Sequence, residues 1–486
     1  MQRGYLGFAN DGGRCAMKQK SALVRFLIVL VGLIVIGLVA VAPTPDGLTG
    51  QGKLALVIFL VSIIFWVTEV MPIAITGWAM VGLLPLLGIL TPDQTWSASI
   101  NNAIIFYLCC FAFACFVGRS SIATRLTGMI LKWAGTNSSR VLLGFMVVTA
   151  LISTLMDNLP LCAVMLPIAY GVLDANNTPT GGKSAFAKCI AIGIPWAAAI
   201  GGAMTPSGCI INVLAMTLIE QNFGVSISFI QWMAFGVPLA IITIPAGWFA
   251  LIKIFKPEAL SRSAVDSGVK RAEELPKLPR HEIGGIAVML ITLVVWIASS
   301  WVPEINITVV SLIALGFMFF PGIEAIRFDD FLTDSPWGMM LLMMAVNVLV
   351  AALSITGAME WVVSTVMAPM TAWPLVVTMI VLSVIGCILH NVIPAGPACA
   401  GLIAVPFATI IGGMGGSIAA TCAMVAWWSA IALMLPLDGV PLLSYSSNRK
   451  YFSFGDMVKV GWAPSLVMVI ITVTLTPATA ALMGLA

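Results

Sequence analysis

The chain has 486 residues, 60% of them apolar and 9% charged, with 23 Lys and Arg against 20 Asp and Glu for a net charge of +3. Soluble domains are about a quarter charged, so this composition and a mean hydropathy of +1.07 exclude a soluble enzyme. They indicate a multispanning membrane protein with room for roughly ten to a dozen spans of about 20 residues each. So small a net charge says little about partners beyond lipid, and no nucleic-acid partner is expected.

Residues 1–53 read as a cytoplasmic tail and a first span near 22–42. That run is too long and apolar for a secretory leader, and no small-residue cleavage site follows it. Spans are expected next at 54–71, 74–91 and 103–118. A paired apolar segment, 141–156 and 160–174, then turns at Asp157-Asn158-Leu159-Pro160. The span at 186–220 is interrupted at 205–209, where Thr205-Pro206-Ser207-Gly208 stands, and a span at 230–254 follows. Lys256 to Glu282 is the most polar stretch, a linker with a short surface helix expected around Val269–Leu275.

Beyond the linker, spans are expected at 284–302, 306–320 and 338–356. A second pair, 375–389 and 395–410, turns at His390-Asn391-Val392-Ile393-Pro394. The span at 418–443 is interrupted at 436–440 by Pro436-Leu437-Asp438-Gly439, and 459–482 is the last. The order of span, pair, broken span and span thus occurs twice. The expected fold is an all-α membrane protein of about 11 transmembrane helices. It holds two inverted repeats, 54–255 and 283–486, each with a re-entrant hairpin and a broken helix, joined by the cytoplasmic linker 256–282.

Matching interruptions in two halves point to the binding site of a secondary transporter, because unwound backbone at membrane depth is tolerated only where it lines a cavity or is buried in protein. The basic residues agree with this layout. With the N-terminus inside, cytoplasmic segments hold every Lys and Arg except Lys53, as the positive-inside rule requires. Six spans precede the linker and five follow it, so the halves are inverted, the first pair opens to the cytoplasm, and the C-terminus lies outside. The expected location is the inner (plasma) membrane. Nine of the ten cysteines lie in apolar segments without a CxxC or Cys/His spacing, and read as packing residues. No Walker motif, GxGxxG fingerprint or catalytic triad is present, so neither ATP-driven transport nor enzyme chemistry has an anchor.

Several motifs resemble those of the divalent anion/sodium symporter family, within the ion transporter superfamily. They are Phe65-Trp66-Val67-Thr68-Glu69-Val70-Met71-Pro72-Ile73 leading to Leu84-Pro85-Leu86-Leu87-Gly88, Asp157-Asn158 through Met165-Leu166-Pro167-Ile168, and Ile200-Gly201-Gly202-Ala203-Met204-Thr205-Pro206-Ser207-Gly208 ending at Asn212. Met434-Leu435-Pro436 with Asp438-Gly439 resembles the inverted partner of the last. The resemblance covers residues from about 54 to the C-terminus. It implies a homodimer working by an elevator movement, with hairpin tips and helix breaks holding a small anion and coupling sodium ions. The family's tips usually read Ser-Asn-Thr. Here they read Asp157-Asn158-Leu159 and His390-Asn391-Val392, and Cys209 follows the glycine where a small hydroxyl residue is common.

The residues themselves suit ion and anion binding. A hard cation wants oxygen ligands. Ser153 lies one helical turn before Asp157, and with Asn158 and the backbone at Gly208 they form a candidate sodium site. Asn391 and Asp438 are its counterparts in the second half. A hydroxyl such as Ser153 can alternatively bond back to its own helix. His390 replaces a hydroxyl, and imidazole changes charge near neutral pH, so proton coupling remains the alternative to sodium. Asn158, Ser207, Cys209, His390, Asn391 and Gly439 are the candidate substrate contacts, their amides and helix N-termini suiting a carboxylate or sulfate. The expected function is sodium-coupled transport of di- or tricarboxylates. Proton-coupled anion transport or exchange, a sodium/proton antiporter-like exporter, and an anion-regulated membrane sensor are the other readings. A reporter fused to the C-terminus should signal the outer side; a cytoplasmic signal would overturn the inverted topology.

Overall fold

The structure is a computed structural model and describes residues 22–485 apart from 303, 368–369, 371, 394 and 438. Among the described residues every regular element is a helix, as lipid demands of a backbone that must satisfy its own polar groups. In the first half these are α1 (Ala22–Val41), α2 (Gly50–Thr68), α3 (Ile73–Leu86), α4 (Pro92–Ser99), α5 (Asn102–Arg119), α6 (Ile122–Ala134), α7 (Ser138–Ser153), α8 (Asn158–Ala175), α9 (Ala185–Gly202), α10 (Ile210–Phe223) and α11 (Phe229–Phe255). The linker forms α12 (Arg262–Glu273). The second half holds α13 (Arg280–Ala298), α14 (Ile307–Met318), α15 (Phe328–Asp334), α16 (Trp337–Ile355), α17 (Ala358–Val362), α18 (Leu375–Val392), α19 (Gly396–Gly413), α20 (Ile418–Ala430), α21 (Gly439–Tyr445), α22 (Phe454–Val473) and α23 (Leu475–Leu482). Among the described residues ten helical stretches are long and apolar enough to cross a membrane, and the shorter apolar helices include α7, α10, α18 and α20, arms and half-helices of the two interrupted regions.

The helix starts follow side-chain chemistry. Thr49, Asn101, Asn137, Ser184, Ser228 and Ser417 each accept a backbone N–H at a helix N-terminus, satisfying donors the helix itself leaves orphaned. Three of the helices that appear where hydropathy alone places none trace to particular side chains. Helix α4 begins with a Thr91–Gln94 capping box and Pro92 in its first turn, a start signal written in the sequence. Helix α6 crosses the basic stretch after α5. It buries Ala123, Thr127, Ile130, Leu131 and Ala134, a one-sided stripe at helical spacing. Helix α15 holds Asp330 and Asp334, which pair with Arg119 at 3.0 and 2.6 Å.

Two groups of helices emerge from the packing. An outer group joins α1–α5 to α13–α17, through α3 against α16 and α5 against α14. An inner group joins α7–α11 to α18–α23, through α9 against α21, α11 against α22, and α10 against α19 and α20. Both groups draw on both halves of the chain. At one end of the inner group two ion pairs link the halves, Lys188 with Asp456 at 2.9 Å and Arg449 with Asp174.

Lys53, the one basic residue outside the expected cytoplasmic segments, is buried, and its ammonium donates to the Ala42 carbonyl at 2.6 Å. It caps the end of α1, a favourable place for a cation because terminal carbonyls there lack partners. The linker is docked along its length. Helix α12, longer than the short helix expected, packs on α6 and α8, and Leu260 N–H donates to Thr136 at 3.0 Å. The Glu258 carboxylate accepts from Ser184 and from Phe186 N–H. The buried Glu282 accepts from Ser121 N–H at 3.0 Å and its hydroxyl at 2.6 Å. Removing that acceptor strands two donors, so Glu282→Ala should cost about 1–3 kcal/mol, read as a lowered melting temperature, with Glu282→Gln falling between. An unchanged melting temperature in Glu282→Ala would show the linker contact to be dispensable.

Candidate functional site

The first hairpin turns because α7 ends at Ser153 and Asp157 starts α8. Asp157 adopts extended backbone at the N-cap, and its Oδ1 accepts Leu159 N–H at 3.2 Å. Its other oxygen, Oδ2, accepts the N–H of Ile210 at 3.1 Å, the first residue of α10. One carboxylate therefore caps two helices, the second arm of the hairpin and the half-helix beyond the first break. Two positive helix ends on one anion offset much of the cost of placing it at membrane depth.

The rest of the break is laced to the tip. Thr205 Oγ1 and Ser207 Oγ both donate to the Thr154 carbonyl, the latter at 2.8 Å. Asn212 Nδ2 donates to the carbonyls of Gly202 and Thr205, each at 2.8 Å. These bonds return partners to backbone groups that an unwound helix frees. Asn158 is buried and points Nδ2 at Cys209 Sγ, 3.8 Å away. Ser153 Oγ donates across to the Ala198 carbonyl of α9 at 2.7 Å, and so does not bond back to its own helix.

Oxygen atoms crowd around Gly208. A Cβ placed there would stand 2.4 Å from the Ser153 carbonyl oxygen and 2.5 Å from that of Gly202. A Cβ on Gly202 would stand 2.7 Å from the Gly208 oxygen and 3.3 Å from Ser153 Oγ. Carbonyl and hydroxyl oxygens of this kind, with the Asp157 carboxylate nearby, are the donor set a hard cation takes. Among the described residues no three His, Cys, Asp or Glu side chains cluster, so any cation here would draw chiefly on such oxygens.

The second half is built differently. Helix α18 runs through His390 and Asn391 to Val392, where a break after 389 is expected from hydropathy. Asn391 Nδ2 turns back to the Cys387 carbonyl at 2.6 Å, four residues earlier, leaving Oδ1 without a partner among the described residues. His390 is 1% exposed. Helix α19 starts at Gly396-Pro397 with no side-chain cap. Among the described residues no carboxylate caps α19, and the first arm runs on to Val392. The second break is longer than expected, with α20 ending at Ala430 and α21 starting at Gly439. Asp438 and Pro394 lie outside the described residues.

The two halves meet crosswise. Gly439, opening α21, faces the Leu159 side chain of the first tip, its Cβ position 3.6 Å from Cδ1. Gly396, opening α19, faces Ile211 in α10, just beyond the first break, at 2.3 Å from Cδ1 by the same measure. Each tip region thus packs on the interrupted helix of the other half. A further symmetry was not picked out in the sequence. Gly236 of α11 and Gly461 of α22 each approach an unwound carbonyl, that of Ala203 and that of Leu433, and a Cβ on either would come within 2.1 Å of it. The sequence reading also passed over the clamp made by Asn212, the buried Tyr107 of α5, and Asn347 of α16, whose two amide atoms have no partner among the described residues. Tyr107 and Asn347 lie in unbroken apolar runs, where no local signal separates them from packing residues, and Asn212, which ends the motif quoted above, gives no local sign of the carbonyls it clamps.

The citrate transporter family model matches residues 63–432. The chain is 33% identical to the sodium-dependent dicarboxylate transporter SdcS of Staphylococcus aureus (strain USA300) over 214 residues, 43% of this chain and 41% of that one. It is 28% identical to SdcS of Staphylococcus saprophyticus over 339 residues, 65% of each chain. The matches thus span between 41% and 65% of these relatives' own length. Among solved structures, the YdaH transporter of Alcanivorax borkumensis superposes with a TM-score of 0.56 at 12% identity, over 95% of this chain and 98% of that one. MtrF of Neisseria gonorrhoeae, from a class of antimetabolite efflux pumps, gives 0.54 at 14% identity over 95% of each. These two share the fold. The chain belongs to the citrate transporter family and is a multi-pass membrane transport protein. Gly208→Ala should abolish transport and lower the melting temperature, because its Cβ meets backbone oxygens that cannot swing aside; a functional, stable variant would mean that tip and break are not packed this closely.

Proposed function

We propose that this member of the citrate transporter family carries small di- or tricarboxylate anions across the inner membrane, coupled to sodium, with its N-terminus in the cytoplasm. The observation that carries the reading is Asp157, which caps α8 and α10 together where the first tip meets the second broken helix. The names of the SdcS relatives support both the substrate class and the ion. The chain's two repeats, 54–255 and 283–486, would each contribute one tip and one break.

In this reading the anion sits between the tips. Asn158 offers amide hydrogens, and the N-termini of α8 and α10 offer a positive potential partly satisfied by Asp157. Ser207, expected to contact substrate, instead spends its hydroxyl on Thr154 and holds the break in shape. Cys209 supplies a soft, small wall beside the Asn158 amide. In this conformation Asn391 presents a carbonyl oxygen, the form that suits a cation or a donor group. Gly439 gives the anion access to the start of α21, with His390 and Asp438 as the further contacts proposed for the second half.

Sodium would occupy the oxygen cluster of Ser153, Asp157, Asn158 and Gly208, with Asn391 and Asp438 as the proposed second set. Without a cation, the Asp157 charge repels a nearby anion by roughly 4 kcal/mol for unit charges about 4 Å apart at an effective dielectric near ~20. A bound cation removes that repulsion, so cation and anion strengthen each other's binding reciprocally. The inner helix group would move against the outer one as the elevator of a homodimer, since the inner group holds both tips and both breaks. Proton coupling is the second reading, favoured by the buried His390 beside Asn391.

Counterflow of labelled succinate, malate, citrate, tartrate and sulfate in proteoliposomes tests the substrate. Uptake of a carboxylate with sodium dependence supports the reading; failure of all five with sodium-driven proton movement intact would favour an antiporter. Asp157→Asn keeps one capping oxygen and turns an amide toward the other helix. It should therefore lower the melting temperature and retain weak anion binding, without dependence on the coupling cation. Unchanged sodium and pH dependence in that variant would restrict Asp157 to capping.

A further inference from the structure

We propose that Tyr107 donates a hydrogen bond from the outer helix group to the carboxylate anion bound at the first tip. This inference rests on the carboxylate reading above and adds a contact from outside the hairpins and broken helices. Tyr107 lies in α5, fully buried, with its ring edge-on to Phe106 and Phe111 at centroid distances of 6.0 and 5.9 Å. Helix α5 packs against α8 and α10, the two helices that Asp157 caps. The ionisable neighbours of the phenol are Cys209 and Asp157 across that interface and Cys110 on its own helix. Its hydroxyl has no hydrogen-bond partner among the described residues.

A hydroxyl buried without a partner is costly, and in native proteins such groups are nearly always met by protein, water or ligand. Asp157 already accepts from two backbone N–H groups, and no group among the described residues hydrogen-bonds the phenol. A carboxylate accepts hydrogen bonds and donates none, whereas a phenol can donate. The tip motifs contain no Lys or Arg, so a neutral donor is the chemistry by which this wall could hold an anion without a second buried charge to desolvate. Because Tyr107 belongs to the outer group and Asn158 to the inner, both hold the anion together only while the first tip lies against α5. That ties anion affinity to one arrangement of the two groups.

Tyr107→Phe removes the hydroxyl alone and keeps the ring packing. In purified protein, binding of the five anions should be measured with and without sodium, alongside uptake and melting temperature. The expected result is a carboxylate affinity about 10- to 100-fold weaker, the loss of one hydrogen bond to a charged group, with sodium affinity in the absence of anion and melting temperature unchanged. Anion affinity within twofold of wild type would overturn the assignment, as would a changed sodium affinity in the absence of anion, which would place the hydroxyl at the cation. Wild-type protein that binds no carboxylate would overturn the substrate reading and this contact together. Wild-type binding with an unaffected variant overturns this contact alone.

Discussion

The site depends on one carboxylate that caps two helices. A helix that stops inside a membrane leaves N–H groups with no water to meet them, and a buried carboxylate lacks the hydration that makes its charge tolerable. Asp157 resolves both difficulties at once by accepting from Leu159 at the hairpin and from Ile210 beyond the break. Each defect satisfies the other, so the tip and the break are held in one relative position. Thr154, the residue just past the end of α7, is bonded by Thr205 and Ser207 for the same reason.

The two halves of the chain each hold a tip and a break, but not the same chemistry around them. Around the first tip, hydroxyls, an amide and a carboxylate satisfy the exposed backbone. Around the second, the helix runs on to Val392 and Asn391 bonds its own turn. The first site is accordingly rich in fixed contacts, and the second has fewer side-chain ties among the described residues. Crosswise packing then places the well-tied tip against the longer break, through Leu159 and Gly439. Close backbone approach at Gly236 and Gly461 lets α11 and α22 lie directly on an unwound carbonyl.

Several charged side chains away from the first tip are paired. Arg119 is held by Asp330 and Asp334, Lys188 by Asp456, and Arg449 by Asp174. Several of these pairs join elements distant in sequence, whereas the polar linker is fastened by Glu258 to the start of α9 and by Glu282 to the start of α6. The linker was legible as polar, but its docking was not, because a capping carboxylate and a solvated one look alike in a sequence.

Local chemistry alone determined a good deal of this protein. Long apolar runs required membrane helices, and Asp157-Asn158-Leu159-Pro160 and Thr205-Pro206-Ser207-Gly208 marked interruptions because Asp, Asn, Pro and Gly carry their backbone preferences wherever they stand. The stripe of α6 and the capping box of α4 were equally available to periodicity and capping rules, although their short, polar segments fall below any hydropathy signal. What only the tertiary structure decided was which interruption meets which: that Asp157 reaches Ile210, that Leu159 faces Gly439, and that Tyr107 of an unbroken apolar helix looks onto the first tip. The reason is physical. Helix starts and stops follow from interactions within a few residues, whereas the partner of a buried polar group depends on which helices pack together. Between apolar surfaces of similar composition, sequence leaves that choice open until the chain closes around it.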